Sequence, residues 1–309
     1  METPASYHVP VMVREVLELL DPARGGTFFD GTLGGGGHTE AILETGADAR
    51  VVGVDRDPEA LQVAERRLAR FGERLELVRA SFADAAERLD VRLAGALLDL
   101  GVSSHQIDAD RRGFTFREGA PLDMRMAGAA DDAASAADLL NEASEAELAD
   151  IFHHFGQERR ARRLAAEVVR RRRNLPFTTS DHLVGAVRAV LGPRSGPADF
   201  ARIFQALRIA VNAELDALDR ALPALREALR PGGVLAVLSY HSLEDRRVKH
   251  AFRAWSRACV CPPELPVCMC RGEALGETLT RKPVEAAQDE VAANPRARSA
   301  RLRGWRKAA

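Results

Sequence analysis

Ten residues of this chain, Asp30-Gly31-Thr32-Leu33-Gly34-Gly35-Gly36-Gly37-His38-Thr39, join a carboxylate to four consecutive glycines. Phe28-Phe29 leads into them and Glu40-Ala41-Ile42-Leu43-Glu44 follows, so the order reads strand, glycine turn, helix. Glycines lack the Cβ that would hold a ligand away, and the first amides of a helix attract its polar groups. A second apolar run, Val51-Val52-Gly53-Val54, ends in Asp55, nineteen residues past Gly36. An acid there is where an open α/β sheet holds ribose hydroxyls, so the chemistry implied is binding of a nucleoside-bearing cofactor. The dinucleotide fingerprint G-x-G-x-x-G, set from Gly34, would need glycine where Thr39 stands. An S-adenosylmethionine loop starts instead from a strand-terminal acid, because the donor's amino-acid end needs polar partners, and Asp30 fits that role. A glycine turn needed only for tight packing is the competing reading.

Asp55 or Asp57 could cap a helix starting at Pro58; Asp57 fits the cap better, which leaves Asp55 for a ribose. Phe82 could cover an adenine face or serve as a core residue. Asp99 closes the apolar run Ala94–Leu98 at the rim where such sheets place reactive groups. A carboxylate there can accept the N–H of a conjugated exocyclic amine and favour a pyramidal nitrogen, aiding methyl transfer to it. Ser103 is a second hydrogen-bonding group or a helix cap. On the same rim, within Ser239-Tyr240-His241-Ser242-Leu243-Glu244-Asp245, His241 could relay a proton and Tyr240 could stack on a base. An ordinary helix start is the alternative for His241 and Ser242. Cys259-x-Cys261-x6-Cys268-x-Cys270 could hold zinc, but Cys-x-Cys is tighter than the usual finger spacing. Unligated thiols, and so no metal, are expected.

These groups need a scaffold. After the glycine loop come a strand at 51–54, a helix from Pro58 with Leu61, Ala64, Leu68 and Phe71 on one face, a strand at 75–78, a helix at 82–89 and a strand at 94–98. This βαβαβ alternation predicts a doubly wound, mostly parallel sheet of the Rossmann-like α/β class. The rhythm then stops. Residues 104–199 are expected to form a helical insertion, with helical patches near 135–155 and 158–173 and a Ser144-x-x-Glu147 capping box in the first. Residues 1–103 and 200–309 then form the two parts of the core. From Phe200 to Leu222, apolar residues recur at helical spacing, predicting one long helix that Pro223 kinks or ends. The sheet resumes at 234–238, with edge strands expected at 278–280 and 299–305.

The net charge of −1 excludes a polycation, so any affinity for nucleic acid must come from local patches. Two exist. Residues 158–173 hold eight arginines against two glutamates, and Asn294–Ala309 has five arginines and one lysine with no acid. Such runs are often only solvated faces, yet beside a reactive rim they suit phosphate. No apolar run is long enough to span a bilayer, and the first ten residues lack a signal-peptide pattern. No membrane partner is expected, and the cytoplasm is the default location. Four cysteines in this length do not suggest a disulfide scaffold.

The blocks DGTLGGGGHT, VDRDP, LLDLGVSSHQ, RRGFTF, PLDMRM, FGQER, FQALRIAVN, SYHSLEDRRVK and NPRARS occur in that order across almost the whole length. Together they resemble the bacterial 16S rRNA (cytosine-N4)-methyltransferases, the RsmH or MraW family. The resemblance implies a class I S-adenosylmethionine methyltransferase with an inserted helical domain for rRNA recognition. Its partner would be 16S rRNA or the small ribosomal subunit, methylated at a cytidine N4 in the decoding region. Carried over, Gly36, Gly37, His38, Asp55, Phe82, Asp99 and Gln106 contact the donor; the catalytic candidates Asp99 and Ser103 rest on the rim chemistry above, about which the resemblance says less. Related amino-methyltransferases follow the strand-end acid or amide with Pro-Pro-aromatic, whereas Asp99 is followed by Leu100-Gly101-Val102. Phe114, Phe116 or Tyr240 could supply the missing aromatic. A protein or small-molecule acceptor, or an RNA-binding assembly factor without activity, are the other readings. The oligomeric state stays open, a homodimer included.

Overall fold

The computed structural model describes residues 10–128, 133–259, 261, 267, 269–270 and 272–309. It divides into two compact units, Met1–Gly101 with Leu215–Ala309, and Val102–Glu214. The first contains strands β1 (Gly26–Asp30), β2 (Ala49–Asp55), β3 (Leu75–Arg79), β4 (Leu93–Asp99), β5 (Leu229–Ser239), β6 (Gly276–Thr278), β7 (Val284–Glu285) and β8 (Arg301–Lys307). They form one sheet in the order β3-β2-β1-β4-β5-β8-β6, with β7 also paired to β8. Pairing is parallel from β3 through β5, and β8 runs antiparallel to β5, β6 and β7. The final segment is therefore an interior strand, where an edge strand was expected. Its continuous burial marks this: Leu302, Arg303, Gly304 and Trp305 are all buried, Arg303 through an ion pair with Asp245.

Both faces of the sheet are covered, as parallel strands require. Phe29, Ala96, Leu98, Leu235 and Val237 face one way, against Leu218, Leu222 and Leu225 of the helix Glu214–Ala228 and Val248 and Phe252 of Ser242–Trp255. Phe28, Val51, Leu97, Ala236 and Leu238 face the other, against Val16 and Leu20 of Val13–Leu20 and Ile42 and Leu43 of Gly37–Thr45. The period of two along a strand sends Phe28 and Phe29 into opposite layers. Asp57 caps the helix Pro58–Leu68 by accepting the Glu59 N–H at 3.0 Å. Leu61, Ala64, Leu68 and Phe71 then form a small cluster around Leu33 of the glycine loop.

The second unit is helical, with a core of Leu140, Leu148, Phe152, Leu164, Val168, Leu183, Phe200, Phe204 and Leu207. Its patch near 135–155 is broken where the Ser144 box forms, giving Ala136–Glu142 and Glu145–Asp150, because that box starts a new helix. The unit ends later than the expected 199. Phe200, Ile203, Phe204 and Leu207 of Pro197–Asn212 pack into the helical core, whereas Leu218 and Leu222 pack beneath the sheet. The apolar stripe thus serves two cores. The chain breaks between them at Ala213, whose φ is +48°, and Pro223 is tolerated inside the next helix.

Candidate active site

Strand order reverses between β1 and β4, which opens a crevice outside their carboxyl ends, the usual ligand site of such sheets. Asp30 and Asp99 end these strands, Asp55 ends β2, and Tyr240 follows β5. Three of the expected groups, Asp30, the glycine bend and Asp55, are therefore gathered on one rim.

Asp30 does not present its charge to a ligand. It is buried, its Oδ1 accepts the Thr32 N–H at 3.2 Å and its Oδ2 accepts the Thr39 hydroxyl at 2.7 Å. Burial raises this carboxyl above its ordinary value, opposed by the neighbouring His38 and the Thr39 bond. Its task is to bind the two ends of the loop together. Leu33 N–H donates to the Val54 carbonyl at 2.9 Å, and Gly34 N–H donates to Asp55 Oδ2 at 2.8 Å. Gly34 and Gly36 adopt φ of +52° and +81°. A Cβ on Gly36 would lie 2.8 Å from Leu68 Cδ1, whereas one on Gly34 would meet only the Thr32 carbonyl oxygen at 3.9 Å. The inner side of the bend is packed and the side at Gly34 is open. Gly36 caps the helix Gly37–Thr45 with no side-chain hydrogen bond, leaving its first turn to backbone amides.

Asp55 also accepts the Asp57 N–H through Oδ1 at 2.9 Å. Each carboxylate oxygen has two lone pairs, so capacity remains for ligand hydroxyls. Burial raises this carboxyl to about 6 despite those two N–H bonds.

Asp99 is held at its backbone N–H and at one carboxylate oxygen. Its backbone N–H donates to Thr32 Oγ1 at 2.6 Å, and its Oδ1 accepts the Tyr240 hydroxyl at 2.8 Å. Its Oδ2 lies 3.7 Å from Nδ1 of His38, whose Nε2–H donates to the Val11 carbonyl at 2.9 Å. Burial and the Asp99 charge push the Tyr240 hydroxyl well above its ordinary pKa, so it stays a donor at neutral pH. The Tyr240 bond fixes one carboxylate oxygen.

Phe82 begins the helix Phe82–Glu87 beside Gly31 and packs partly against the sheet core. Ser103 and Gln106 lie in the helical unit and form a reciprocal capping box, at 3.2 and 3.0 Å, so the cap reading of Ser103 is realised. His241 likewise caps Ser242–Trp255, with Nδ1 accepting the Glu244 N–H at 3.4 Å. Phe114 and Phe116 belong to the helical unit, whereas Tyr240 shares its unit with Asp99 and bonds to it. Residue spacing missed the Tyr240–Asp99 bond and the Thr32 brace. Its only signal for them was that both tyrosine and acid sit at the ends of strands that proved adjacent.

The doubly wound sheet, the glycine bend and an acid at the switch point define a Rossmann-like methyltransferase. The sequence profile of the MraW methylase family matches residues 5–308, and the chain belongs to that family. A protein of Gemmatimonas aurantiaca named ribosomal RNA small subunit methyltransferase H is 58% identical over 308 residues, covering 98% of this chain and 96% of its own. Proteins of the same name from Syntrophotalea carbinolica and Heliobacterium modesticaldum are 51% and 49% identical, each over 97% of this chain and 98% of theirs.

Proposed function

We propose that this methylase transfers a methyl group from S-adenosylmethionine to N4 of a cytidine in the decoding region of 16S rRNA. The observation that carries the substrate is the near-full-length match to relatives named for small-subunit rRNA methylation. The site's chemistry suits both partners. The open face at Gly34, the amides of Gly37 and His38 at a helix start, and the spare lone pairs of Asp55 fit an amino-acid end and a ribose, whereas the Gly36 N–H already donates to the Leu33 carbonyl at 2.8 Å. Phe82, at the first turn beyond β3, supplies an apolar surface for adenine. When bound, the donor supplies an electrophilic methyl group on a sulfonium.

Everything else falls to the chain. The lone pair of an exocyclic cytosine amine is shared with the ring, which makes it a poor nucleophile. Asp99 Oδ2 accepts one of its N–H bonds and turns the nitrogen toward pyramidal geometry, while Tyr240 keeps the carboxylate from rotating. The proton released after transfer passes to Asp99. Ser103 and Gln106 are assigned by sequence alone, and their side chains are engaged in capping. The target base must be unstacked to enter such a site.

Basic groups serve the phosphates. Within 158–173, Arg160 donates to the Val190 carbonyl, Arg170 and Arg171 pair with Glu167, and Arg172 donates to the Leu140 and Ala143 carbonyls. Arg159, Arg162, Arg163 and Arg173 are exposed and are the phosphate contacts of this reading. Cytoplasmic location belongs to the same reading; among the described residues no helix is long and apolar enough to cross a membrane. Labelled methyl transfer to small subunits, compared with free metabolites and bulk protein, tests the acceptor: label in a metabolite or protein fraction alone would refute it.

A further inference from the structure

The first unit carries a second cluster of reactive side chains, on the excursion between the helix Ser242–Trp255 and β6. The base of that excursion is tied. Leu275 N–H donates to the Trp255 carbonyl at 2.8 Å, the Ser256 and Thr278 hydroxyls are 3.0 Å apart, and the Trp305 indole N–H donates to Ser256 at 3.2 Å. Among the described residues beyond the base, Val267 is 69% exposed and Met269 83%. A cross-link between its two limbs would supply what the burial of these two side chains does not.

Cys259, Cys261 and Cys270 supply such a cross-link. Their three Sγ atoms lie within 4.8 Å of one another, and none is in a disulfide. Two thiols come from the outgoing limb and one from the returning limb, so the cluster joins the two sides. The Met269 N–H donates to Cys261 Sγ at 3.4 Å, a bond that favours the thiolate. The Cys270 thiol donates to the Ala258 carbonyl at 3.8 Å, a weak contact that deprotonation would release. Sulfurs bound at ~2.3 Å to a tetrahedral zinc stand ~3.8 Å apart, so small inward shifts suffice. Soft thiolates favour zinc over the hard cations abundant in cells. Cys268, the chain's other cysteine, lies outside the described residues.

We propose that Cys259, Cys261 and Cys270 supply three thiolate ligands to a structural zinc ion that ties the two limbs of this excursion together, with water or a further side chain completing the tetrahedron. The tight Cys-x-Cys spacing argued for unligated thiols along the chain; the third thiol arrives from across the loop, which spacing cannot show. The site rests on these thiols alone and stands or falls separately from the methyl-transfer reading.

The test uses the full chain purified from zinc-supplemented cells. Elemental analysis should find one zinc per chain, and cobalt exchange should give thiolate-to-metal charge-transfer absorption with the strong d–d bands of tetrahedral coordination. Cys270→Ser and Cys259→Ser should each lose the metal and render the excursion sensitive to trypsin. Chelation of the wild-type chain should do the same, which separates metal loss from misfolding of a variant. Wild-type protein without zinc, zinc content unchanged by those substitutions, or a disulfide among these cysteines would each overturn the proposal.

Discussion

Asp99 and Tyr240 lie far apart in sequence but meet through a 2.8 Å hydrogen bond, and this bond makes the sharpest residue-scale prediction. Tyr240→Phe keeps the ring and its packing but frees the carboxylate to rotate. A hydrogen bond to a charged group is worth ~1.5–3 kcal/mol, so kcat should fall by at least roughly tenfold. The donor Kd, measured by calorimetry, should change much less than kcat, since the Tyr240 bond chiefly sets the carboxylate for the acceptor amine. Equal losses in kcat and donor affinity would contradict this assignment. Asp55 gives a pH prediction. Burial raises its carboxyl to about 6, so ribose binding is complete above that value and weakens as the pH falls through it. The sign for folding is opposite: with the folded pKa above the ordinary 3.8, its contribution is fullest below 3.8 and is lost as pH rises through about 6. Asp55→Asn should weaken donor binding roughly tenfold, by the same hydrogen-bond magnitude, and flatten its dependence on pH. Titration calorimetry on either side of that pH reads both effects.

The glycine bend sets the prediction for elements. Its inner side packs on Leu68 of the helix Pro58–Leu68, and Gly36 sits at φ +81°. Gly36→Ala should therefore lower stability by ~1–3 kcal/mol in denaturant unfolding and weaken donor binding, because the new methyl group forces the bend off the helix. Gly72, at φ +53° with nothing near its added Cβ, is a control for backbone strain alone. Much of this element structure was legible beforehand. The strands β1 to β4, the bend and the Asp57 cap follow from alternation, glycine and cap chemistry, all of which act locally. Two things were not legible. The stripe from Phe200 to Leu222 has one period but serves two cores, since periodicity reports burial and not what lies opposite. Asp30 reads as a ligand group by position, yet two hydroxyl- and amide-bearing neighbours, Thr39 and Thr32, claim its oxygens.

At the scale of the whole molecule, charge is partitioned between architecture and display. The basic C-terminal segment is β8 rather than a tail. Arg303 is buried against Asp245 at 2.6 and 3.2 Å, Arg306 pairs with Glu277, and Lys307 donates to the carbonyls of Arg226, Glu227 and Leu229. Composition counts these charges but cannot see their partners. The arginines of 158–173 divide similarly. Replacing Arg159, Arg162 and Arg163 together with glutamine should reduce the salt dependence of rRNA binding by roughly one unit of slope per arginine, with donor affinity unchanged. The same number of substitutions at Arg170, Arg171 and Arg172 should chiefly lower stability, because those side chains tie Glu167 and the Leu140 and Ala143 carbonyls. The central claim, methyl transfer to cytosine N4 through Asp99, has one direct measurement. Small subunits from cells lacking this protein are incubated with S-adenosylmethionine and either the wild-type chain or Asp99→Ala, and their 16S rRNA is digested to nucleosides for mass spectrometry. N4-methylcytidine should appear with the wild-type chain and be nearly absent with Asp99→Ala, although both bind the donor; a different methylated nucleoside, or full activity in Asp99→Ala, would contradict the account.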